Sequence, residues 1–113
     1  MRYWRNGRKS KYNNAKVQVD GIKFDSKREA SRYLELKILQ QAGQIEGLEL
    51  QPKFRMKVND FLICEYRADF KYREAGTVLP VVEDSKGFRT RDYRIKAKLF
   101  RALFSDQYEF RET

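Results

Sequence analysis

The chain contains no histidine. That absence removes Ser-His and Cys-His nucleophile pairs, zinc-deaminase chemistry and histidine-based metal sites together. Any catalysis must run on carboxylates, lysine and oxygen-loving metal ions. A single cysteine, Cys64, rules out an internal disulfide and a cysteine metal cluster, and it suits a small apolar core group better than a reactive thiol. No apolar run approaches membrane-spanning length, and a signal-peptide core is missing, so a cytoplasmic protein without a membrane partner is expected. Acids are in deficit: 16 against 25 lysines and arginines, a formal net charge of +9 in 113 residues. Such an excess points first to a polyanion, most simply nucleic acid; the plain alternative is a basic protein with no such partner. What is present is enough to fold. Hydrophobic residues at 41% and aromatics at 14% are too many for a disordered chain, and the length suits one domain with one core.

Residues 1–15 hold Arg2, Arg5, Arg8, Lys9 and Lys11 with no acid, interleaved with Tyr3, Trp4 and Tyr12. This stretch reads as a basic arm that neutralises phosphates and stacks on bases, or as a solvated terminus. The single domain is then 16–113. Val17 and Val19, the pair Asp20-Gly21, then Ile22 and Phe24 predict a small hairpin. A helix is predicted over 25–42, with Ala30, Tyr33, Leu34 and Ile38 as its apolar stripe and Gly43 as its stop. Ser26 and Glu29 fit a capping box, yet Glu29 also borders the core-facing stripe and could project into a site between helix and sheet. Residues 44–50 read as a connection. Three strands are expected to follow as an antiparallel meander: 52–58, with basic Lys53, Arg55 and Lys57 on its outer face, then 61–72, then 77–86. A second helix over 90–104 starts at Thr90. Its polar face carries Arg91, Arg94, Lys96 and Lys98 against the lone acid Asp92, which favours a phosphate-facing surface over a merely solvated one. Tyr108 and Phe110 mark a last strand.

The chemistry concentrates in two strands. Asp69 and Asp84 are about equidistant from a turn near 73–77, so an antiparallel pair makes them neighbours. Two facing carboxylates repel unless a cation lies between them, and a hard divalent ion answers that need with oxygen ligands. Lys86, one pleat beyond Asp84, is placed to stabilise charge on a phosphate or to orient and deprotonate a water. Glu29 would complete the cluster from the helix. The simpler reading is a surface ion pair between Asp84 and Lys86, worth little.

Glu29, then ADF with Asp69, then EDSKG with Asp84 and Lys86 resembles the PD-(D/E)XK nuclease superfamily. FDSKREA, LQPKF, ADFKY and VVEDSKG resemble small phage-encoded endonuclease-like proteins and the endonuclease I type of phage Holliday-junction resolvase. The resemblance spans about residues 16–104. It implies an α/β fold with an αβββαβ core, a mixed central sheet flanked by helices, preceded here by the hairpin and the arm. It also implies that Glu29, Asp69 and Asp84 are acidic metal-site residues, Lys86 is the catalytic lysine, and the cofactor is Mg²⁺ or Mn²⁺. For the resolvase type it implies a homodimer, acting in the host-cell cytoplasm if phage-encoded. Ala68 stands where the family name has proline. Glu83 rivals Asp84, but strand alternation puts Asp84 on the face of Lys86; the Ser85 carbonyl is a further ligand candidate.

Three functions follow as expectations. The first is a metal-dependent endonuclease on branched DNA. The second is a same-fold nickase acting on duplex or other branched DNA. The third is a non-catalytic nucleic-acid-binding protein whose acids are structural. Basic residues spread over several elements suit backbone and shape recognition rather than base reading.

Overall fold

The computed structural model describes residues 16–86 and 88–113. The chain opens with the expected hairpin, β1 (Val17–Val19) and β2 (Ile22–Phe24). Its turn places Asp20 and Gly21 both at positive φ, the backbone that a two-residue turn demands. Helix α1 (Lys27–Gln41) follows, N-capped by Ser26, whose hydroxyl accepts the Glu29 amide at 3.1 Å. Gly43 ends it at φ 78°. The helix is turned relative to the predicted stripe. Ala30, Tyr33 and Leu36 are buried, with Leu39 packed beside them, while Leu34 and Ile38 are exposed.

The expected meander is not formed, and the stretch read as a connection is a strand. β3 (Ile45–Leu50) pairs with β6 (Phe70–Glu74). Its register shifts between Glu46 and Glu49, around Gly47 at φ 67°. That bulge breaks the two-residue alternation by which strands are recognised. The run 61–72 is also not one strand. β5 (Phe61–Arg67) pairs with β4 (Lys53–Val58) in a separate hairpin, and β6 joins the main sheet. The change of partner falls at Ala68 and Asp69: the Ala68 amide bonds the Pro52 carbonyl, and the Asp69 amide bonds that of Glu83. The third expected strand shortens to β7 (Val81–Asp84), consistent with Pro80 being unable to donate to a ladder. α2 (Arg91–Phe104), capped by Thr90, then leads to β8 (Glu109–Glu112).

The main sheet runs β3-β6-β7-β8, antiparallel except for the parallel pair β7–β8, which α2 connects as a crossover. With the β1–β2 and β4–β5 hairpins set aside, the order is α-β-β-β-α-β. This is a mixed α/β fold. The alternation of β7 divides the core. Val81 joins Phe24, Tyr33, Leu36, Ile45, Phe70 and Tyr72 on the α1 face. Val82 joins Phe54, Met56, Tyr66, Tyr93, Ala97 and Phe100 on the α2 face, with Cys64 packed at its margin. No helix among the described residues is long and apolar enough to cross a membrane.

The β4–β5 turn carries two non-glycine residues at positive φ, Asn59 (51°) and Asp60 (68°). Asp60→Gly is expected to relieve one of them and stabilise the protein by about 0.5–1 kcal/mol, read as a rise in the urea midpoint at constant slope.

Candidate active site

Asp69 and Asp84 are neighbours because Phe70 pairs with Glu83 in the β6–β7 register, which sets the next residues outward beside each other. Both are buried, Asp84 completely. Three groups hold them. The Ser85 amide donates to Asp69 Oδ2 at 2.7 Å. The Tyr66 hydroxyl, reaching in from the β4–β5 hairpin, donates to Asp84 Oδ2. The Lys86 ammonium lies 2.6 Å from Asp84 Oδ1 and 3.8 Å from Asp69 Oδ1. Asp84 Oδ1 is buried, with the Lys86 ammonium as its ion-pair partner. The Lys86 ammonium also lies over the Tyr93 ring, 5.5 Å from its centroid.

The electrostatics show how costly this arrangement is. Burial first, and repulsion from Asp84 second, push the Asp69 carboxyl up to about 7, although Lys86 pulls the other way. Burial also raises Glu29, with Asp25 and Asp84 adding to it and Lys86 opposing it. Burial alone would lower the Lys86 ammonium, but Asp69, Asp84 and Glu29 together hold its pKa above the ordinary lysine value. Lys86 therefore stays a cation at neutral pH, which suits charge stabilisation over proton abstraction. Tyr66 is raised by burial and by Asp84, so it keeps its proton and remains a donor.

Glu29 is buried at the start of α1, within electrostatic reach of Lys86 and Asp84. Its backbone amide makes the capping bond, and its carboxylate accepts from the Asp25 backbone amide at the helix start while Lys86 and Asp84 act on it electrostatically. Among the described residues no three histidine, cysteine or acidic side chains converge as a metal cluster. The fit to a hard divalent cation rests instead on two buried carboxylates set side by side at the end of the β6–β7 pair. Mg²⁺ is commonly held by one or two carboxylates with waters filling the remaining positions, so this donor set fits it.

Glu83 is not part of this group. It points to the α1 face, fully buried, where Arg32 grips it with Nε at 2.5 Å and Nη2 at 3.0 Å. Tyr72 donates to it at 2.5 Å and Thr113 at 3.2 Å. The alternation expected from the sequence thus separates the two acids as read: Glu83 is bound by structural partners, and Asp84 faces Lys86. Sequence reasoning missed Tyr66. Its only signal is its place opposite Phe54 in β4, which becomes visible once the β4–β5 hairpin is known. Tyr66→Phe removes the donor to Asp84 and is expected to cost about 1–3 kcal/mol of stability, read by urea unfolding.

The basic residues divide. Arg91, Arg94 and Lys98 are exposed on α2 and Lys96 is half-buried; none of the four is in an ion pair among the described residues. The arm residues Arg2, Arg5, Arg8, Lys9 and Lys11 lie outside the described residues. A groove of about 450 Å³ borders the site, between the β4–β5 hairpin and α2, and Lys86 lines it.

No curated protein and no solved structure matches the chain. A family model matches residues 9–111, nearly the whole sequence and every acid of the candidate site. The chain belongs to the family described as "Protein of unknown function (DUF1064)".

Proposed function

We propose that this chain is a metal-dependent DNA endonuclease with a PD-(D/E)XK core, selective for branched DNA in the manner of a phage Holliday-junction resolvase. The observation that carries this reading is the buried pair Asp69 and Asp84 with Lys86 against both of them. Such a cluster costs stability, and costly clusters of perturbed groups are characteristic of sites that do chemistry. The order α1-β3-β6-β7-α2-β8 supports the same reading, since it is the αβββαβ order of that superfamily once the two hairpins are set aside.

In this reading Asp69, Asp84 and the Ser85 carbonyl hold Mg²⁺ or Mn²⁺, with Glu29 as a further acid. An ion held there would polarise the phosphodiester and acidify a water. The chain's own residues do the rest. Lys86 sets its charge against the phosphoryl oxygens as negative charge builds on them. The Ser85 amide and the Tyr66 hydroxyl keep the two carboxylates from turning away. Arg91, Arg94, Lys96 and Lys98 hold flanking phosphates, a backbone grip without base reading. Two matched incisions across a junction call for two such sites, hence a homodimer.

One observation favours the alternative of a non-catalytic nucleic-acid-binding protein: Lys86 already supplies the cation that the carboxylates need. A single assay separates the readings. A labelled four-way junction and a linear duplex of the same sequence are incubated with the protein in Mg²⁺ or in EDTA. Mg²⁺-dependent cutting confined to the junction is expected. Equal cutting of both substrates would leave the nickase, and no cutting of any DNA would leave the binding protein.

A further inference from the structure

The groove beside the site has a feature that stability does not explain. Lys53 and Arg67 are direct partners across the β4–β5 pair, and both line it. Two cations facing each other on one strand pair repel and destabilise it. Arg67 has only an exposed contact with Asp25 at 3.4 Å, and Lys53 has no ion pair among the described residues. Lys96 of α2 and Lys86 of the candidate site line the same groove. Four cations outnumber the two acids on the walls, Glu65 and Asp92. The wall between them is aromatic, formed by Tyr66 and Tyr93.

We infer that this groove is the track of one nucleic-acid strand, with Lys53 and Arg67 on the hairpin and Lys96 on α2 holding the phosphates beside the one that meets Lys86. The inference rests on the endonuclease reading for what happens at Lys86, but not for the binding itself. Cations from the hairpin and from α2 line one depression, and Lys86 of the candidate site lines it with them. The mutual repulsion of Lys53 and Arg67 is offset among the described residues only by the exposed contact of Arg67 with Asp25, and a bound anion would relieve it further. The depression, about 450 Å³, is lined both by cations and by the aromatic rings of Tyr66 and Tyr93, the pairing that grips a single strand by its phosphates and bases. The β4–β5 hairpin, which is extra to the αβββαβ order, thereby gains a role as the outer jaw of the substrate channel.

The test is binding without metal. Affinity for a fluorescent single-stranded oligonucleotide and for a four-way junction is measured in EDTA across a range of salt concentrations. A groove variant combines Lys53→Ala with Arg67→Ala. Its control combines Lys23→Ala with Lys37→Ala, which removes equal charge from the α1 side. The groove variant is expected to bind both probes about tenfold or more weakly, with a salt slope shallower by about 1.5, as two lost phosphate contacts require. The control is expected to change affinity less than about threefold. Thermal melts check folding, and the groove variant should be no less stable than wild type, because a like-charge contact has gone. Wild-type affinity in the groove variant, an equal loss in the control, or no binding of either probe by the wild type would each overturn the groove. Because no metal is present, the two proposals fail separately: weakened binding with no Mg²⁺-dependent cleavage by the wild type sinks the nuclease and keeps the groove, while unchanged binding with cleavage intact does the reverse.

Discussion

Asp69→Asn is expected to abolish Mg²⁺-dependent cleavage, by about 100-fold or more, while making the protein more stable in EDTA at pH 8. The two effects have one origin. Burial and Asp84 push the Asp69 carboxyl from 3.8 up to about 7. For an acid so raised, the unfolded chain ionises first as pH rises. Stability is therefore lost between about pH 4 and pH 7, and above pH 7 the full penalty is present. Asn carries no charge to bury, and its side-chain oxygen can still accept the Ser85 amide. At pH 8 the gain is on the order of 2 kcal/mol, or roughly 5–10 °C in melting temperature, and at pH 4 it should vanish. Mg²⁺ should raise the wild-type melting temperature and leave that of the variant nearly unchanged. A variant less stable than wild type at pH 8 would show that Asp69 is a structural residue, and one that cuts at the normal rate would remove it from the site.

Glu83→Ala should do the opposite: lower stability by about 3 kcal/mol or more. Glu83 is the fully buried centre of a network that joins α1, through Arg32, to β6, through Tyr72, and to the C-terminal Thr113. Truncation leaves the Tyr72 hydroxyl without its acceptor and leaves the Arg32 guanidinium to its exposed contact with Glu35. Arg32 is partly exposed, at 22%, so water recovers some of its loss, which puts the cost at the lower end of the range for broken buried pairs. Against the usual 5–15 kcal/mol of a small domain this is a large fraction. Glu83→Gln keeps an acceptor for Tyr72 and should fall between the two. The comparison with Asp84→Asn is the sharper one. Adjacent acids on one strand should separate cleanly, the first governing folding as read by urea unfolding and the second governing Mg²⁺-dependent cutting. If Glu83→Ala melts like wild type but fails to cut, the two roles are reversed.

Local chemistry was enough to specify the α1 cap at Ser26, the turn at Asp20-Gly21, the α2 start at Thr90, and the alternation along VVEDSK. Each depends on a side chain bonding its own backbone, a positive φ or a two-residue period, and all three are written in adjacent residues. The neighbourhood of Asp69 and Asp84 was legible because the two strands follow each other in the chain and lie about equally far from the connection between them. What the sequence hid were events that leave no period behind. A bulge at Gly47 masked β3. The exchange of partners at Ala68 and Asp69 is invisible in a run of uniformly strand-like residues, so β5 and β6 read as one. Which α1 residues face inward was decided by packing against the sheet, because Leu34 and Leu36 have equal claim by hydropathy and only one side meets Ile45 and Tyr72. Folding in three dimensions brought Tyr66 to Asp84 from a hairpin 18 residues away in the chain and set Lys53 beside Arg67 along one groove. Those contacts depend on where the chain returns to itself, and that is fixed by burial of the whole core rather than by any local signal.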